Sequence, residues 1–329
     1  MKKWVQVISF LLIMGFTLWK LSTSDVLVLS PDQKEGNLQD SSAWVGASLY
    51  QIPFQSKEGP LIHYGYELVA NTSKYLGPNG SVMHLTNGMN CQNCHLEAGT
   101  KPWGLNYGSV YSTYPKYRDR SGSIETIYKR INDCIQRSLN GKALDTNSKE
   151  MKSIYAYIKW LGKDIAKGKK AKGSGIEMLP VLSVAANPQK GAIVYSIQCQ
   201  KCHGAEGQGQ MNPDGKMYLY PPLWGAHSYN EGAGINQLSK LAGFIKNNMP
   251  NLVNYHQPTL NNEDAWNVAA FINSHERPHF DKSKDWPTLG TKPFDYPFGP
   301  YVDTFSVAQH KYGPFGPIQQ DQYSRTIKK

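Results

Sequence analysis

Five cysteines occur in 329 residues, and four of them fall into one five-residue word used twice. The word reads Cys91-Gln92-Asn93-Cys94-His95 and again Cys199-Gln200-Lys201-Cys202-His203. Two thiols three positions apart, followed directly by an imidazole, form the attachment signature of a c-type haem. The thiols reach the two vinyl groups of one porphyrin, and the histidine falls beneath the iron. A redox Cys-x-x-Cys pair does not explain why the histidine recurs. Half of a zinc site wants a second ligand pair nearby, and the remaining thiol is a lone Cys134. The words therefore read as two covalently bound haem c groups with His95 and His203 as proximal ligands.

A six-coordinate haem needs a second axial ligand, and that ligand sets its chemistry. For the second haem the candidates are Met211, Met217 and Met249. Met249 stands 46 residues after His203, just before Pro250, while Met211 and Met217 lie close to the haem word for a ligand that must cross to the far face. Met249 is the expected ligand; a core methionine is the bland alternative. The first haem has no methionine in the comparable region until Met151, but it has Cys134, 39 residues after His95. An odd cysteine in an exported chain is an inert buried thiol, an intermolecular disulfide partner or a functional sulfur.

The residues around Cys134 favour the last of these. Periodicity predicts a helix over 122–141, with Ser123 as its cap, Glu125 in its first turn and Gly141 at its end. Ile124, Ile127, Ile131, Ile135 and Leu139 give its apolar face. Arg130, Cys134 and Ser138 are spaced i, i+4, i+8 and so stack along one edge. Arg137 is one turn from Cys134, and Arg120 lies just before the helix. Guanidiniums beside a thiol favour the thiolate; without the cysteine, these arginines would read as a solvated helix face.

The elements that must position these groups repeat. In the second half Asn187 caps a helix with Pro188 at its first position, Gly191 follows, and the amphipathic segment 262–273 closes the unit. In the first half Gly65, Tyr66 and Leu68 precede the haem word, and 153–161 is the matching closing helix. This arrangement resembles class I cytochrome c domains, in which a glycine lets two helices cross beside the haem; Pro221-Pro222-Leu223 resembles their haem-pocket segment. The expected fold is all-α: two class I cytochrome c-like domains in tandem, over 45–165 and 187–280. Residues 166–186 form a basic Gly/Lys linker, and 281–329 an irregular tail rich in Pro, Gly and aromatic residues.

The chain opens on Met1-Lys2-Lys3, an uncharged apolar run over 4–19, then Lys20 and Ser22-Thr23-Ser24. These are the physical parts of a secretory signal over residues 1–24, and the run is short for a spanning helix. Retention as an N-terminal anchor is the alternative, and the membrane is expected as a partner only in that case. Either way the folded part is expected outside the cytoplasm, in a periplasm. The formal charge of +10 falls to +7 when Lys2, Lys3 and Lys20 leave with that segment. A basic surface attracts small anions or acidic redox partners. No nucleic-acid-binding motif is present.

Three stretches resemble the dihaem thiosulfate dehydrogenases, also called tetrathionate synthases. They are Cys91 through Gly104, then Tyr117-Arg118-Asp119-Arg120, and then Arg130 through Gly141. Met249-Pro250 and the tail words Gly299-Pro300-Tyr301 and Gln309 through Phe315 extend the likeness. The resemblance implies His95/Cys134 ligation of a catalytic first haem, His203/Met249 ligation of an electron-transfer second haem, and Arg120, Arg130 and Ser138 as substrate contacts. It implies the joining of two thiosulfates to tetrathionate, or the reverse, with electrons leaving to an external acceptor such as a small cytochrome c. It also raises a covalent sulfane sulfur on Cys134. Some members carry a lysine directly before the methionine that can replace it on the iron; here that position is Asn248. A non-catalytic dihaem electron-transfer cytochrome is the competing expectation.

Overall fold

Each haem word is bracketed by two helices that cross at a glycine. The structure, a computed structural model, describes residues 43–327; the expected signal or anchor over 1–24 lies outside the described residues. The first half runs α1 (Gly59–Ala70), β1 (Lys116–Arg118), β2 (Ser123–Glu125), α2 (Ile127–Arg137) and α3 (Lys149–Leu161). The second runs α4 (Pro188–Gln198), β3 (Gln210–Met211), β4 (Tyr218–Tyr220), α5 (Leu238–Asn248) and α6 (Asn262–Ser274). The tail ends in α7 (Val307–Tyr312) and α8 (Gly316–Ile327). No described helix is long and apolar enough to cross a membrane.

The crossings are forced by side-chain size. A Cβ on Gly65 would stand 2.0 Å from the Ser153 carbonyl oxygen, and one on Gly191 would stand 1.9 Å from that of Asn267. Only hydrogen allows α1 to lie on α3, and α4 on α6, this closely. The same device at matching positions marks the halves as copies. Local signals start the helices: Asn187 accepts from the amides of Gln189 and Lys190 ahead of Pro188, and Ser148 accepts from Met151. One core gathers Leu68, Val69, Met151, Ile154, Tyr157 and Ile158; another gathers Leu238, Ala242, Trp266, Val268 and Ala269.

Three details depart from the sequence reading. The predicted helix over 122–141 is shorter at both ends: it runs Ile127–Arg137, Ser138 rather than Gly141 closes it, and Ser123 does not cap it. Ser123 pairs with Arg118 in an antiparallel ladder, as Ile124 does with Tyr117 and Glu125 with Lys116. Thr126 is the cap instead, accepting from Lys129 N. Second, the stretch after α3 is mostly exposed yet fastened to the first half. Trp103 N, Leu105 N and the Asn106 side chain donate to the carbonyls of Gly173 and Gly175, and Ser112 donates to Lys169 O. Third, the tail is irregular only as far as Ser306, and its two helices then pack on the second core, where Phe315 and Ile318 are buried. All described residues fall in one compact unit.

Candidate active site

α2 and its C-cap residue Ser138 present Arg130, Cys134 and Ser138 to a cavity of about 250 Å³ that Cys91, Cys94 and His95 also line. Ile127, Ile131 and Ile135 are buried on the neighbouring face and seat the helix. His95 Nδ1 lies 2.5 Å from the Leu105 carbonyl, so it is the donor and Nε2 is left to face the cavity. Tyr107 stacks on the ring with 4.5 Å between centroids. The second word is built alike: His203 Nδ1 lies 2.8 Å from Pro221 O, inside the predicted pocket segment. Its cavity, about 480 Å³, is lined by Cys199, Cys202, His203, Tyr220 through Leu223, and Met249.

Both sites fit a covalently attached haem. Each has two thiols and an imidazole on the wall of a largely apolar cavity, with the imidazole oriented through its outer nitrogen. The cysteines are free of disulfides. Among the described residues no group of three or more His, Cys, Asp or Glu side chains is arranged for a bare metal ion.

The thiols differ in their electrostatics. Burial pushes Cys91 up to about 11, and Cys94 and Cys199 up to about 12. Burial also opposes ionisation of Cys134, but the Arg130 guanidinium, a hydrogen bond with His95 and the charge of Arg120 outweigh it and bring the thiol down to about 7. Cys134 and His95 therefore come together in the first cavity.

The three arginines have separate duties. Arg130 makes no ion pair or hydrogen bond with its side chain among the described residues, and Cys134 raises its pKa further. Arg120 stands in the β1–β2 turn beside the cavity rather than in its wall; it donates to Asp133 and to Gly232 O, each at 3.4 Å. Arg137, which the sequence placed near the thiol, turns away. It makes two 2.7 Å bonds to Asp285 and lies over the Phe280 ring. Ser138 keeps its place in the cavity wall.

Of the methionines, Met211 is 42 % exposed and does not line the second cavity. Met217 lines it, with its sulfur 3.8 Å from the Asn90 amide nitrogen. Met249 caps the C-terminal end of α5 and packs on the second core, facing the same cavity as His203. Asn248 is buried and tied by its amide to Trp103 O and Phe244 O. Asn90 and Cys94 line both cavities. Sequence reasoning passed over Lys116 and Lys170, which also stand in the first wall, and Lys240, whose charge is felt there. The lysines carry no local motif, and only the folded chain brings them together.

Comparison with known proteins places the chain in a family. The family described as SoxA/TsdA, cytochrome c domain, matches residues 82–166, and the cytochrome c family matches 188–276. A thiosulfate dehydrogenase of Stutzerimonas stutzeri is 35 % identical over 253 residues, covering 75 % of this chain and 79 % of that one. The thiosulfate dehydrogenase of Allochromatium vinosum is 39 % identical over 202 residues, 60 % and 72 % of the two chains. Among solved structures, the "as isolated" form of thiosulfate dehydrogenase TsdBA from Marichromatium purpuratum superposes with a TM-score of 0.66 at 32 % identity. That match covers 72 % of this chain and 50 % of that one, so this chain matches half the length of the solved one. With two haem-attachment words set in two tandem cytochrome c domains, the chain belongs to the thiosulfate dehydrogenase family.

Proposed function

We propose that the protein joins two thiosulfates into tetrathionate, 2 S₂O₃²⁻ → S₄O₆²⁻ + 2e⁻, and can run the reverse. The observation that carries this reading is Cys134 beside His95 in the first cavity, one helical turn from the Arg130 guanidinium that lowers its pKa. Cys91, Cys94, Cys199 and Cys202 would hold the porphyrins, and His95/Cys134 and His203/Met249 the irons. Bound haem supplies one-electron acceptors in series.

The chain's own residues do the rest. Two dianions must meet at their outer sulfurs against mutual repulsion. Arg130 and Arg120 lower that repulsion through charge-assisted contacts, and Ser138 adds a hydrogen bond from the same edge of α2. The lowered pKa of Cys134 keeps its sulfur in the thiolate form that iron and sulfane chemistry both use. Asn90 and Cys94, shared by both cavity walls, bring the two centres within one side-chain layer of each other. Electrons would leave from the second centre to an external carrier such as a small cytochrome c, in the periplasm.

The test is a pair of assays on purified holoprotein: thiosulfate with ferricyanide, and tetrathionate with a reduced dye. Activity in either assay that disappears in Cys134→Gly, with both haems retained, is the expected result. A wild type inert in both assays, but able to pass electrons between dyes, supports the plain electron-transfer cytochrome instead.

A further inference from the structure

A lysine of the first domain lines the second cavity. Lys101 stands in that wall with Leu96 and Glu97, and the same wall includes Met249 and Pro250. The turn that carries Lys101 is held by its backbone. Leu96 N donates to Gly104 O, and Gly104 N to Lys101 O, each at 3.1 Å. Trp103 N and Leu105 N donate to Gly173 O and Gly175 O at 2.7 and 3.0 Å. Leu105 O accepts from Nδ1 of His95, while the Leu96 and Leu105 side chains pack on the second core. The turn therefore serves the first haem word through its backbone and the second domain through its side chains.

From this turn the Lys101 ammonium donates to Val253 O at 3.1 Å. Val253 N donates to Pro250 O at 3.1 Å, so the accepting carbonyl belongs to the turn that follows Met249. On the other side of Met249, the Asn248 amide donates to Trp103 O at 3.2 Å. Two ties from one turn of the first domain thus flank the expected ligand. They differ in kind: the Asn248 tie is neutral, and the Lys101 tie places a charge in the cavity wall.

We propose that Lys101 of the first domain raises the reduction potential of the second haem, its bond to Val253 O fixing an ammonium in the wall of the second cavity. The proposal rests on the reading of that cavity as a haem site with His203 and Met249 as ligands, and not on thiosulfate as the substrate. Reduction adds a negative charge, so a fixed cation nearby favours the reduced form. The effect is large where the cation is withdrawn from water and small where it is solvated. Lys101 is withdrawn: burial lowers its pKa, against the opposing charge of Glu97. Glu97 lines the same cavity but is exposed, so water screens it more than it screens Lys101. The neutral Asn248 tie shows that the loop can be held without a charge. A cation supplied by the first domain makes passage of an electron from the first centre to the second more favourable.

The experiment is a spectroelectrochemical titration of holoprotein, without thiosulfate, carrying Lys101→Gln, Lys101→Arg or neither. Gln removes the charge and keeps a hydrogen-bond donor; Arg keeps both. The second haem is followed at the weak far-red band that methionine sulfur gives on oxidised haem and that reduction removes. In Lys101→Gln its affinity for an electron is expected to fall about tenfold, a midpoint lower by about 59 mV. The first haem's midpoint, the haem content and the far-red band of the oxidised protein stay as in the wild type. Lys101→Arg returns the second midpoint most of the way to the wild-type value.

An unchanged second midpoint in Lys101→Gln overturns the proposal. So does a shift accompanied by loss of the far-red band, because a changed ligand would then account for it. A Lys101→Arg variant shifted as far as Lys101→Gln also overturns it, since side-chain shape and not charge would be the cause. A wild type without the far-red band overturns the ligand reading on which the proposal rests.

Discussion

Arg137 and Asp285 are joined by two parallel 2.7 Å bonds although 148 positions separate them in the chain. Both side chains are nearly buried, at 12 % and 7 % exposure. The pair straps the tail across the end of α2, and Trp286 N continues the strap with a 2.7 Å bond to Arg120 O. Asp285→Ala leaves a buried guanidinium without its counterion. It should cost about 3 kcal/mol or more in chemical denaturation. Denaturation midpoints equal to wild type would refute the strap.

Gly65→Ala and Gly191→Ala should each destabilise by about 1–3 kcal/mol or more, since a methyl there meets backbone oxygen at 2.0 or 1.9 Å. The helices must part or tilt, and their cavities widen. Broadened haem spectra together with a lower melting temperature are the expected signature. A neutral result at either position would mean that the crossing is looser than described.

Met249→Gly should abolish the weak sulfur-to-iron band in the far red while leaving the first haem's spectrum unchanged. Survival of the band would move the ligand to Met217 or Met89, the other methionines that line the second cavity.

Much of this site could be read before any coordinates. The haem words, the Asn187 cap, the crossing glycines and the Arg130–Cys134–Ser138 edge are local patterns, and local patterns survive folding when their partners lie within a turn or two. The misplaced start of α2 has a local cause as well: Ser123 is as good a cap as Thr126, and only the pairing of β1 with β2 decides between them. Arg137 could not be read correctly, because the carboxylate that neutralises it comes from the tail. Lys116 and Lys170 could not be read at all, because nothing local marks them and only the folded chain brings both to the first cavity wall.

The wall shared by the two cavities has an evolutionary consequence. Tandem domains joined by a basic linker look divisible, as if each half could be inherited alone. Asn90 and Cys94 belong to both cavities, Lys101 donates to Val253 O, and Asn248 donates to Trp103 O. A gene split between 166 and 186 would therefore yield two incomplete cytochromes. The two halves therefore form one inseparable unit, and a break between them would open both cavities.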